Sequence, residues 1–207
     1  MWPPALLPME KPSILVVDDF YARPDDVRAF ALEQEFHEDK AHYRGKRSKR
    51  FLFPYVRERF QSLLNINIRN WIEDNESANG VFQYCLNDDE TVFHSDLQRW
   101  AGAVYLTPGA PVTAGTVFYS SKVTDLRRAA TPLDAVQSGL SVETLNDATY
   151  AKKNLTDPSA WKEVDRVGNV YNRLVLWDAR LIHSAGTYFG KDKSDARLFQ
   201  LFFFDGE

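Results

Sequence analysis

The feature that most constrains this chain is a change of texture at Ile66. Beyond it, short runs rich in β-branched and aromatic residues recur between turn residues: INIRNW, GVFQYCL, TVFHSDLQRW, AGAVYL, AGTVFYSSK, NRLVLW, RLIHSAGTYF and ARLFQLFFF. Such residues fit a pleated, half-buried surface, so each run reads as a strand. Before it, Ser13–Phe20 is a compact apolar run suited to a first strand. Pro24–Phe36 opens with proline and acids and carries an apolar stripe, and Pro54–Leu64 is a second amphipathic segment; both read as helices. Helices followed by many short strands predict a mainly β fold with flanking helices, a β-sandwich or jelly roll with the N-terminal helices on one sheet.

A chain of 207 residues is the size of one domain. Residues 1–12 hold four prolines and read as a flexible arm, leaving 13–207 as one domain. Thr124 to Asp165 is polar, alanine-rich and largely helical in pattern, and reads as a lid-like insertion between strand regions. The net charge of −4 argues against a nucleic-acid partner. Lys40–Arg50 is a local exception, read as a solvated basic loop. Cys85 is the single cysteine, so the chain has no internal disulfide and no cysteine-based zinc site. With no apolar run of membrane or signal-peptide length, the expectation is a cytoplasmic protein with no membrane partner.

There are four histidines. His37 and His42 read as solvated surface residues. His94 and Asp96 stand two apart in TVFHSDLQRW; on a strand they would share one face. A neutral imidazole and a carboxylate so placed make two thirds of a facial triad, which holds iron(II) and leaves positions open. The alternative is a strand-end histidine bonded to a neighbouring acid. His183 follows in LVLWDARLIHSAGTYF, and Arg197 opens ARLFQLFFF fourteen residues later. By parity Arg197, Phe199, Leu201 and Phe203 share a face. A guanidinium entering an aromatic interior is costly unless an anion meets it, and its planar fork suits a carboxylate. An edge arginine facing solvent is the other reading.

The order His-x-Asp, long gap, His, then a cation on the next strand resembles the iron(II)/2-oxoglutarate dioxygenases of the double-stranded β-helix (jelly-roll, cupin-like) fold, and among them the prolyl-hydroxylase-like branch. The resemblance spans about Val81 to Phe204, through HSDLQRWAGAVYLTPGAP, AGTVFYSSK and RLFQLFFF. YRGKRS further resembles an uncharacterised subgroup of that superfamily. The resemblance implies that His94, Asp96 and His183 hold iron(II), and that Arg197 anchors the far carboxylate of 2-oxoglutarate. It makes Tyr84 the first partner hydroxyl, with Thr116 and Tyr105 behind it. The fourteen-residue spacing is somewhat longer than is usual, and Arg173 is the fallback cation. Because halogenating relatives lose the carboxylate, Asp96 implies hydroxylation or another oxidation, most readily hydroxylation: an amino acid, peptidyl residue or small natural product is oxidised by O2 as 2-oxoglutarate is decarboxylated to succinate. Trp100, Trp177 and Tyr171 are pocket-lining candidates or plain core residues.

Two rivals stay open at this level. A cupin-type dioxygenase would keep the metal without 2-oxoglutarate, although cupins use more histidines than are well placed here. A jelly-roll binding module would keep His94 and Asp96 as structural residues and have no activity.

Overall fold

The computed structural model describes residues 13–38, 44–71, 78–151 and 154–207; the expected N-terminal arm lies outside them. Two antiparallel sheets carry the fold. The larger has eight strands, ordered β1 (Ile14–Val17), β9 (Leu174–Asp178), β6 (Trp100–Tyr105), β11 (Arg197–Gly206), β5 (Val81–Cys85), β3 (Lys46–Arg50) and β2 (His37–Glu38), with β4 (Ile68–Asn70) paired to the far end of β11. The smaller is β10 (His183–Ala185), β7 (Thr116–Ser121) and β8 (Trp161–Val167).

The two faces of the large sheet bury different cores. Helices α1 (Pro24–Glu33) and α2 (Val56–Leu64) cover one face. Proline and two acids in the first turn suit the start of α1. Val56, Phe60 and Leu64, four residues apart, give α2 one buried stripe. Phe60 meets Phe202 at 5.0 Å and Phe204 at 5.2 Å between ring centroids. The opposite face carries Val81, Cys85, Ala101, Ala103, Tyr105, Val175, Trp177, Phe199 and Leu201, packed with Phe118 and Val167 of the small sheet. Since β5, β6 and β9 are buried throughout, they are covered on both sides. The expected main-β architecture with helices on one sheet is what forms.

Three departures have clear causes. Lys46–Arg50 is a strand, not a solvated loop; it has no apolar residue to announce it and is defined by pairing with β5. Residues 40–43 of that basic segment lie outside the described residues. The segment 124–165 holds α3 (Pro132–Ser138) and α4 (Val142–Thr149), yet its last five residues begin β8. That strand buries only Trp161 and Val167 and fills the middle with exposed or charged residues, so it shows no alternation. Finally, His94 lies in no extended strand: it forms a single bridge to His183. Among the described residues no helix is long and apolar enough to cross a membrane.

Candidate metal centre

Residues 91–99 are held by a few backbone bonds rather than a ladder. His94 and His183 exchange both N–H···O bonds, at 3.1 and 2.9 Å, and the Asp96 N–H donates to Ala179 O at 2.8 Å. The two rings come to 4.3 Å between centroids. Asp96 reaches both: Oδ1 lies 3.6 Å from His94 Nε2, and Oδ2 lies 3.4 Å from His183 Nε2. One ligand atom from each of the three lies within 4.8 Å of the others.

The proton positions explain why these are not salt bridges. His94 Nδ1 faces Val92 O at 3.1 Å and His183 Nδ1 faces Leu181 O at 2.9 Å. A carbonyl only accepts, so each Nδ1 carries the proton and each Nε2 presents a lone pair. Burial, with the neighbouring His94 adding to it, pushes His183 down to about 4, so it is neutral at pH 7. Asp96 Oδ2 is buried and has no hydrogen-bond partner among the described residues. Two imine nitrogens and a carboxylate, all acceptors, therefore face one another with no donor between them among the described residues. The buried, unpaired Asp96 Oδ2 is costly, and a cation is a group that satisfies it together with both nitrogens. Ligands about 2.1 Å from one metal ion sit about 3 Å apart when adjacent, close to the spacing here. Burial grades across the set: the His183 side chain is 7% exposed and His94 46%, so the centre opens on the His94 side. Trp177 walls the closed side, 5.0 Å from the His183 ring.

Arg197 faces the same interior. It pairs directly with Cys85 and is 3% exposed. Its Nε donates to Ala114 O at 2.7 Å and its Nη2 to Gly115 O at 3.2 Å. Gly115 is required there, because a Cβ would fall 1.8 Å from Val167 O. The guanidinium lies 4.4 Å from the Phe199 centroid, 5.4 Å from Tyr105 and 5.8 Å from Tyr188. Among the described residues no carboxylate pairs with it. The Tyr105 hydroxyl is 2.7 Å from Thr116 Oγ1, and burial raises its pKa against the opposing pull of Arg197, so it stays a neutral donor.

Of the sequence-predicted residues, the structure brings His94, Asp96 and His183 into one cluster and Arg197, Tyr105 and Thr116 into another. Tyr84 is a correction: it stands opposite Leu198, faces the helices, and packs on Phe36 at 4.9 Å. Arg173 is another, because both its Nε and Nη2 bind Asp18, at 2.6 and 2.9 Å. Trp177 lines the centre, whereas Trp100 is buried in the helix-side core and the Tyr171 hydroxyl donates to Asp25. His37 is exposed as expected, and His42 lies outside the described residues. Two neighbours were not anticipated. Tyr188 beside Arg197 sits in an irregular stretch after β10 that no periodicity marks. Tyr150, just past α4, donates its hydroxyl to Ser95 Oγ at 2.8 Å, tying the insertion to the residue between His94 and Asp96. Phe93 adds to this tie by stacking on Trp161 at 5.5 Å and donating its N–H to Leu155 O at 2.8 Å.

The chain shares its fold with HygX from Streptomyces hygroscopicus. Against HygX solved with nickel and 2-oxoglutarate the TM-score is 0.55 at 12% identity, covering 93% of this chain and 82% of that one. With nickel, 2-oxoglutarate and hygromycin B bound to HygX the values are 0.54, 10%, 93% and 82%. With iron bound they are 0.50, 11%, 93% and 81%. No curated protein matches the chain. A family profile matches residues 5–198, and the chain therefore belongs to DUF6445, a family of unknown function.

Proposed function

We propose that this protein is an iron(II)/2-oxoglutarate-dependent oxygenase of the double-stranded β-helix superfamily, a hydroxylase of the prolyl-hydroxylase-like branch acting on a small molecule or peptidyl residue. The observation that carries the reading is the unpartnered Asp96 oxygen facing two imidazole lone pairs, which is the donor set of a facial triad. The buried guanidinium, with no carboxylate partner among the described residues, supports the co-substrate. HygX, of the same fold, binds nickel or iron and 2-oxoglutarate, and in one structure a small molecule, hygromycin B.

His94, Asp96 and His183 would hold the metal. Bound there, iron(II) with 2-oxoglutarate supplies the oxidising chemistry, reducing O2 as the keto acid loses CO2 to give succinate and a substrate C–H bond is oxidised. The chain's own part is orientation and exclusion. Val92 O and Leu181 O fix the tautomer of each histidine, keeping both Nε2 atoms free for the metal. Arg197 offers the far carboxylate a buried charge-assisted contact. With Thr116 Oγ1 donating to the Tyr105 oxygen, the single Tyr105 hydroxyl proton is left to donate a second hydrogen bond to that carboxylate. Trp177 and Phe118 keep water from the closed side of His183. Within one domain that spans 13–207, the helical part of the insertion, α3 and α4, serves as a lid, while its last residues belong to β8. The test is succinate release from 2-oxoglutarate under O2 and iron(II): wild type turns over, and His94→Ala, Asp96→Ala and His183→Ala do not. Turnover that survives all three substitutions refutes the assignment.

A further inference from the structure

The three candidate ligands come from two stretches of chain, residues 94–96 and His183, and one carboxylate outside the cluster is bonded at the foot of both. Asp178 closes β9, and the turn that follows leads to His183. The Leu181 N–H donates to Asp178 O at 2.9 Å. Within the turn, Asp178 Oδ1 accepts the Arg180 backbone N–H at 3.1 Å and Arg180 Nε at 3.0 Å, while Oδ2 accepts Arg180 Nη2 at 2.8 Å. An aspartate that accepts the N–H two residues on fixes a turn. Asp178 Oδ2 also ion-pairs with Arg99 Nη1, and Arg99 lies three residues past Asp96.

Ala179 joins the same two stretches through the backbone. Its carbonyl accepts the Asp96 N–H at 2.8 Å, and its own N–H donates to Arg99 O at 3.1 Å. The segment from Asp96 to Arg99 is thus wrapped on a fully buried residue. The neighbouring Asp178 holds Arg99 and Arg180 at once, so a single side chain joins the segment of Asp96 to the turn that delivers His183.

Stability is a weak reason for this arrangement. Burial raises the pKa of Asp178, and the bonds from Arg180 and Arg99 outweigh it, leaving the carboxyl below its usual range and ionised. The side chain is only 13% exposed, and desolvation offsets much of the attraction in an ion pair so placed. What the pairing does fix is position. A metal ion tolerates little change in the spacing of its ligands, and groups that orient ligands from outside are typically worth about tenfold to a hundredfold in affinity.

We propose that Asp178 is a positioning residue for the metal centre: its carboxylate, shared by Arg99 and Arg180, sets the distance between the Asp96 and His183 ligand groups. The assignment rests on the oxygenase reading for the presence of the metal. Among the described residues Asp178 bonds to Arg99 and Arg180 and not to the ligands, so its effect passes through Arg99 and Ala179.

The test is titration of the full-length, metal-free protein with Ni(II) by calorimetry and with Co(II) by visible absorption, whose ligand-field bands report the geometry around the bound ion. Asp178→Asn should weaken Ni(II) binding by about tenfold to a hundredfold and shift the Co(II) bands, with a wild-type circular dichroism spectrum. Arg99→Gln leaves the Arg180 turn in place; it should shift the bands with a smaller loss of affinity, and it decides the matter if Asp178→Asn does not fold. Asp18→Asn, which breaks the bonds of Asp18 to Arg173 at 2.6 and 2.9 Å, should move neither readout. Wild-type affinity and wild-type bands in folded Asp178→Asn or Arg99→Gln overturn the proposal, as does an equal loss in Asp18→Asn. Wild-type protein that binds neither ion overturns the metal reading and the role of Asp178 with it, whereas wild-type binding with unmoved variants overturns the role of Asp178 alone.

Discussion

The surroundings of Arg197 and those of Asp96 are built in opposite ways. Arg197 opens a ten-residue strand paired on both sides and buried almost throughout. Its guanidinium is fixed by two carbonyls and three rings. Asp96 lies in a segment secured by one bridge at His94, one bond to Ala179 O, contacts from an insertion and, at its end, the bonds of Arg99 to Ala179, Asp205 and Asp178. The rigid half suits a ligand of constant shape, a diacid. The lightly tethered half, open on the His94 side, suits a centre that must admit a substrate. Disturbing the first should cost stability and co-substrate together; disturbing the second should cost metal and leave the fold.

The largest separation of the two is expected from Asp96→Ala. Calorimetric Ni(II) affinity should fall by more than about a hundredfold, with the melting temperature of the metal-free protein unchanged or raised, because the change removes a buried unpaired oxygen. A fold that melts with the metal site would break the comparison. On the rigid side, Phe60→Ala empties a filled aromatic core and should cost about 3–5 kcal/mol in denaturant unfolding, with Ni(II) affinity intact at temperatures where the variant is folded.

A pH titration sharpens the contrast. His183 is held at about 4 by burial, against about 6.5 when unfolded. Between those values the unfolded chain binds more protons, so stability falls as pH drops from about 6.5 toward 4 and is full above that window. The loss in the metal-free protein should reach about 3 kcal/mol, and His183→Gln should flatten it in urea melts followed across pH.

Smaller again is Tyr150→Phe. Loss of the Ser95 hydrogen bond should cost about 1 kcal/mol or less in stability, yet Ni(II) affinity should fall up to about tenfold, as outer-shell changes do. An unaltered affinity would mean that the insertion only packs against the centre. Smallest is Tyr84→Phe, for which no change in 2-oxoglutarate affinity is expected. Tyr105→Phe should weaken it several-fold, by about one hydrogen bond of 0.5–1.5 kcal/mol.

Most of the strand framework was legible because apolar runs mark it: the predicted runs around Val81–Cys85, Trp100–Tyr105, Leu174–Asp178 and Arg197–Gly206 all form strands. Lys46–Arg50 and Trp161–Val167 were not legible, since charged strands made by pairing leave no periodic trace. The same limit explains Tyr84. GVFQYCL is buried on both faces, so its composition does not say which side chains face the interior, and the register alone turns Tyr84 to the helices. His94 and Asp96 converge as expected, but through a bridge and a loop bond in place of strand parity. Tyr188 and Tyr150 are brought in by tertiary contacts across the chain, which no local spacing encodes.

The most direct test is anaerobic titration of the iron(II)-loaded protein with 2-oxoglutarate, followed by visible charge-transfer absorption. One equivalent of iron and one of 2-oxoglutarate should saturate the band in wild type. Asp96→Ala and His183→Ala should bind no iron and give no band, while Arg197→Leu should bind iron normally and need at least about thirtyfold more 2-oxoglutarate. Iron bound at full stoichiometry by both Asp96→Ala and His183→Ala would contradict the account.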